Sequence, residues 1–344
     1  MTRLQFEEMP APLGLRDIRT FGQLIGLWAD LESVLELVLH HPALTNNLPQ
    51  RMQQLQRWLH ELVKHDADAA LYLMFQQAGQ TTVGYSTSHA LVCATFCDIL
   101  ASHLQLPAEE KSSLIHAALT MNIGMTQLQD QLALQTRGLD AGQKEQVLLH
   151  PIEGMCMLER FGVTNALWLN IVKNHHAVRP SRTPLKEQVP EEKLSRILAA
   201  IDRYTAVISP RRTRLALPLQ DSLRILLEDP SGNFAEIGCH LENCMGHYPP
   251  GTYVQLNTDE IAVVLRHSSD PLRPLVAKIL TERGHAIRAP ETEHLLHSKC
   301  SIKEAVAPGR ISHKLNHLTM LRLGAQSAQY SDGLMHMVRL PGTP

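Results

Sequence analysis

Four histidines and an aspartate draw attention first, because each lies on, or closes, the apolar stripe of a helical segment. His89 aligns with Cys93 and Phe96; His150 follows Val147 at the end of a periodic run; His175 and His176 follow Leu167, Trp168, Ile171 and Val172. Asp202 sits beside Ile201 and four residues after Leu198. Taken singly, an inward histidine is more often a hydrogen-bonded core residue than a ligand. An aspartate inside RILAAIDRYTAVI is harder to dismiss, since a buried carboxylate is costly unless it is paired or bound to a cation. Facing histidines on neighbouring helices would be suitable partners in either case. Within the same region, IHAALTMNIGM supplies Met121 and Asn122, a thioether and a neutral amide, amid residues otherwise suited to a metal site.

The elements that must position these groups are helical almost throughout residues 17 to 237. Phe21, Leu24, Ile25, Leu31, Val34, Leu35 and Val38 form one stripe, and Met52, Leu55, Leu59 and Leu62 a second. Pro107 with Glu109 and Glu110 predicts a helix start. Asp140 with Gln143 predicts a capping box for a helix ending at His150-Pro151, with another beginning just after. VRPSRTPLKEQVPEE, residues 178 to 192, reads as a long loop. After residue 245 the pattern changes to two β-rich runs, Tyr253 to Leu256 and Ile261 to Leu265, around a turn. The expectation is therefore an all-α protein: a helical region at 1–80, a helical domain at 81–245, a small β-rich extension at 246–287, and an unassigned tail at 288–344.

Composition narrows the function. The chain has 344 residues, 44% of them apolar and 19% charged, with a formal net charge of −2. That is a globular composition with no global field to draw it onto nucleic acid or an acidic membrane surface. No run of apolar residues is long enough to span a bilayer, so a cytoplasmic protein without membrane insertion is expected. The six cysteines form no CxxC pair. Cys93 and Cys97 read as small core residues with no chemistry assigned.

The order of these motifs resembles the HD-GYP family of metal-dependent phosphohydrolases: a helix histidine, AAL-xx-IG, HP-x-x-G, a tandem HH, then an aspartate followed by an arginine cluster. YPPGTYVQLNTDEIAVVL, similar to the tail of that domain, is the more specific signal. The resemblance covers about residues 80 to 287. It implies an HD-domain helical core that hydrolyses cyclic di-GMP, a bacterial second messenger, at a centre of two or three iron or manganese ions. Carried over by position, it makes His89, Asn122, His150, His175, His176 and Asp202 the metal positions, and Arg211 and Arg214 the phosphate contacts.

The match is partial. The signature His-Asp falls on Met121 and Asn122, the following lysine on Met125, the glutamate after the tandem histidines on Ala177, and a glutamate ligand on Tyr85. The GYP loop is absent. An amide cannot bridge two cations as a carboxylate can, and a thioether is a poor ligand for iron(II) or manganese(II). The resemblance thus implies a degenerate, signalling member with hydrolysis absent or very slow. It would hold one weakly bound iron or manganese ion, or none, and act by binding cyclic di-GMP or a related nucleotide, a protein partner, or both. Two alternatives are an active phosphohydrolase with a remodelled metal site, and a metal-free interaction scaffold that dimerises through its N-terminal helices.

Overall fold

The computed structural model describes residues 20–80, 82–178, 181, 183–212 and 216–337. The chain begins with α1 (Phe21–His40), closed at its start by a reciprocal capping box between Thr20 and Gln23. α2 (Leu48–His65) and α3 (Ala67–Gln80) follow. The α2 stripe and Leu24, Leu31, Leu35 and Val38 of α1 are buried, with Phe21, Ile25 and Val34 partly buried against them, and all belong to the same apolar core as the helices after them. These faces are therefore spent inside the chain rather than offered to a second copy.

α4 (Tyr85–His103) is the central element, buried along nearly its whole length. Around it pack α5 (Ala108–Thr120), α6 (Thr126–Leu134) and α9 (Pro190–Ile208), with α7 (Ala141–Arg160) and α8 (Ala166–Asn174) stacked beyond. Two shorter helices, α10 (Leu219–Leu227) and α11 (Ala235–Met245), complete this part. The capping box of Asp140 and Gln143 forms as expected. The helix it starts does not end at His150-Pro151: α7 runs on to Arg160 with Pro151 inside it. A proline removes one helical hydrogen bond without forcing a break when the freed carbonyl finds another donor, and here the donor is the His150 side chain.

The all-α expectation is wrong. Five strands, β1 (Tyr253–Leu256), β2 (Ile261–Arg266), β3 (Leu275–Leu280), β4 (Ala286–His294) and β5 (Ile302–Val306), form one antiparallel sheet in the order β4-β3-β2-β1-β5. Helices dominate, but the fold is mixed, and the sheet extends into the tail that sequence left unassigned. Nor is the sheet an appendage. Tyr253, Val263, Leu275, Ala277 and Ile279 on one face join the main helical core, while Val254, Leu256, Ala262, Val264 and Val276 make a second small cluster on the other. The two-residue alternation of strands sorts these sets. A last helix, α12 (His317–Met337), lies against α1, β2 and β3.

The sheet is fastened to α3 by polar contacts. Arg266 makes a two-pronged ion pair with Asp66, which also caps α3 through the amide of Ala69. Gly251, in the YPPGT turn, has φ +91, and a Cβ there would lie 2.5 Å from the carbonyl oxygen of Tyr72. Its own carbonyl accepts a 2.6 Å hydrogen bond from Gln76, which in turn accepts from the Tyr253 hydroxyl at 2.9 Å. The turn thus requires glycine for both conformation and space. Gly251→Ala is expected to lower the unfolding free energy by roughly 2–4 kcal/mol. Chemical denaturation checks this, and a change within about 0.5 kcal/mol would refute the close approach.

Candidate metal centre

The five residues of the opening argument fall into two clusters. His150 on α7 and His175 at the end of α8 are completely buried, and their Nε2 atoms face each other at 3.3 Å. His176 is exposed, yet its ring lies against both, with centroids 4.1 Å from His175 and 5.2 Å from His150. On the neighbouring elements, His89 Nε2 contacts Asp202 Oδ1 at 2.7 Å and Cys93 Sγ at 3.6 Å. Each trio can present its ligand atoms within 4.8 Å of one another, and these are the two such groups among the described residues.

The orientation of the two buried imidazoles has a local cause. A helix amide at position 151 would bond the carbonyl of Val147, but proline has no N–H. His150 Nδ1 donates to that carbonyl instead, at 2.6 Å. The carbonyl of Val172 lies in the last turn of α8, where carbonyls lack helical partners, and His175 Nδ1 donates to it at 2.7 Å. Both rings therefore carry their proton on Nδ1 and turn a lone pair at each other through Nε2. Neither can donate to the other. Burial pushes His150 down to about 4 and His175 down to about 3, with His176 adding to the depression in both, so a proton does not fill the gap at neutral pH. A cation does. Tetrahedral zinc with bonds of about 2.0 Å would set two imidazole nitrogens about 3.3 Å apart.

The other trio is charged in the opposite sense. Burial disfavours the protonated imidazole of His89, but Cys93 and the hydrogen bond to Asp202 outweigh it and raise this histidine to about 10. Burial likewise works to raise Asp202; the hydrogen bond and charge of His89, with His176 and His175 beyond, hold its carboxyl well below the usual range. In the metal-free protein a proton thus joins His89 and Asp202. The Nδ1 atom of His89 is buried without a partner. Imidazoles with carbonyl-fixed tautomers, a carboxylate and a thiol are donors that fit a divalent cation. His150, His175 and His176 would hold one, and His89 and Asp202 another.

The substituted positions do not add donors of comparable strength. Met121 is fully buried and part of the apolar core. Asn122 is buried just before a tight turn, Ile123 to Met125, whose Gly124 lies so close to α7 that a Cβ would sit 2.8 Å from the His150 carbonyl oxygen. Met125 is half-buried at the rim of a cleft with His40 and Gln146, and Ala177 is exposed at the edge of a separate cleft of about 520 Å³ lined by Asn174, Ser195 and Arg196. Tyr85 stacks on His89 with ring centroids 5.5 Å apart. Arg211 lies over Tyr85, 5.0 Å from its centroid, and donates from Nη2 to its hydroxyl at 3.3 Å. The Arg211 Nε is buried without a partner. Arg214 lies outside the described residues, as do Arg179, Pro180 and Arg182 of the long loop.

Cys93 is the site residue that sequence reasoning passed over. The signal was present: a thiol four residues after a histidine on one helix stands on the same face one turn away. No protein-family profile matches the chain, and no curated protein matches it in sequence. No helix among the described residues is long and apolar enough to cross a membrane.

Pro151→Ala tests the carbonyl-fixed geometry through two readouts that move oppositely. The new amide would compete with His150 for the Val147 carbonyl, so metal affinity is expected to fall about 10–100-fold by calorimetry. Stability of the chelator-treated protein is expected to rise by up to about 3 kcal/mol. Unchanged metal affinity would mean that the proline does not orient the ligand.

Proposed function

We propose that this chain is a degenerate member of the HD-GYP phosphohydrolase family, a bacterial signalling protein that retains a cation-holding centre and binds a nucleotide of the cyclic di-GMP kind without turning it over. The observation that carries the reading is the pair of buried, mutually facing Nε2 atoms of His150 and His175 at 3.3 Å, both held by backbone carbonyls. Such an arrangement is unfavourable as a plain core and favourable around a cation.

The loss of turnover follows from charge and ligand count. A bound divalent cation supplies Lewis acidity and a fixed positive charge beside a phosphate. Lowering the pKa of a water between two cations needs an anionic bridge, and Asn122 is neutral. Met121 has joined the apolar core, so an imidazole donor is missing as well. What remains suits binding. His176 is exposed beside the buried pair, and Arg211, braced on Tyr85, keeps a guanidinium edge for an anionic oxygen.

The test is a titration of the metal-supplied full chain with cyclic di-GMP, with chromatographic assay for the linear dinucleotide. Saturable binding without sustained product release is expected, and Arg211→Ala should weaken it about 10-fold, equivalent to about 1.4 kcal/mol. Sustained turnover by pure protein would overturn the loss of catalysis, and no binding with or without metal would overturn the nucleotide.

A further inference from the structure

The trio on α4 and α9 differs chemically from the trio of histidines. Cys93 is fully buried one helical turn after His89, and its Sγ lies 3.6 Å from His89 Nε2. With zinc bonds of about 2.0 Å to nitrogen and 2.3 Å to sulfur, tetrahedral geometry sets an imidazole nitrogen and a thiolate about 3.5 Å apart. Asp202 Oδ1, at 2.7 Å from the same nitrogen, is at hydrogen-bond distance, and a carboxylate rotation that widens this to about 3.3 Å would make it a third ligand. The carboxylate retains 16% exposure, whereas the His89 side chain has 1%. A fourth position can therefore be reached by water on the side of Asp202.

Burial makes the identity of these donors informative. A thiol in an apolar core needs nothing from its neighbours. One whose sulfur meets a buried imidazole already carrying an orphaned Nδ1 stands in a polar pocket, with a carboxylate as the remaining member. Cys97, equally buried one turn further on, belongs to neither ligand trio.

We propose that His89, Cys93 and Asp202 form a three-ligand, thiolate-bearing site that selects zinc(II) over manganese(II) or magnesium(II). The selection follows from softness, since a thiolate favours borderline-soft cations and disfavours those that prefer oxygen. Binding releases the Cys93 thiol proton and the proton shared by His89 and Asp202 to solvent, and no electron moves. The site rests on the reading of this pocket as cation-holding, and adds to it the class of cation and a ligand outside the histidine cluster.

Cobalt(II), which takes zinc sites and reports sulfur ligation by a near-ultraviolet charge-transfer band, is the probe. Chelator-treated full chain titrated with cobalt(II) should develop that band, lose it in both Cys93→Ser and Cys93→Ala, and keep it in Cys97→Ala. Independently of any variant, zinc-edge X-ray absorption of the unmutated chain should contain a sulfur scatterer at about 2.3 Å. Cobalt bound with no charge-transfer band, or a band surviving in both Cys93 variants, overturns the thiolate site while leaving the histidine cluster intact. No cobalt bound at all overturns both the thiolate site and the cation-holding reading.

Discussion

Two imidazole lone pairs held face to face in a dry interior are the constraint on which the site depends. The 3.3 Å separation of His150 and His175 Nε2 is a contact without a hydrogen bond, because both protons are committed elsewhere. Much of the surrounding architecture serves that commitment. Pro151 frees the carbonyl that orients one ring, and α8 ends where its own last carbonyls can orient the other. Gly124 lets the turn after α5 press directly on the backbone of His150. A larger residue at Gly124 would separate that turn from α7, and with it the ligand.

Charge then divides the pocket. On one side are neutral imidazoles whose burial keeps protons away; on the other, His89 and Asp202 share a proton, with the Tyr85 ring stacked on His89 and the Cys93 sulfur beside it. Arg211 closes the far side over Tyr85. The pocket is therefore rich in electron-pair donors and poor in anions, with Asp202 the carboxylate in either trio. Such a donor set can hold cations and attract phosphate, while lacking the second carboxylate that would tie two cations into one reactive centre. The proposal of binding without catalysis rests on this balance.

Much of the site was legible in the sequence because its residues sit at helix positions where period alone predicts burial. His89, His150, His175 and Asp202 fall on or close apolar stripes, and the carboxylate among them demanded partners. The fastening turn was not legible: YPPGT entered the sequence reading only as part of a resemblance, and the need for glycine at 251 comes from the approach of Tyr72, a residue distant in sequence. What stayed hidden has physical reasons. β4 reads AIRAPETEH and lies at an edge of the sheet with no residue fully buried, so backbone pairing rather than hydrophobic alternation makes it a strand, and an all-α expectation results. β5 is the opposite edge and equally polar. Pro151 looked like a helix boundary because the compensating donor is a side chain. Cys93 looked like a core filler because its partners come from the same helix one turn back and from a helix more than a hundred residues on.

The central claim, that this interior is built around a cation, is most directly tested by elemental analysis. Untagged full-length protein, purified anaerobically with zinc, iron and manganese supplied and then gel-filtered, should retain at least one transition-metal ion per chain. Retention below one tenth of an ion per chain under those conditions would contradict the account, and His150 and His175 would then have to be explained as a strained pair in a metal-free core.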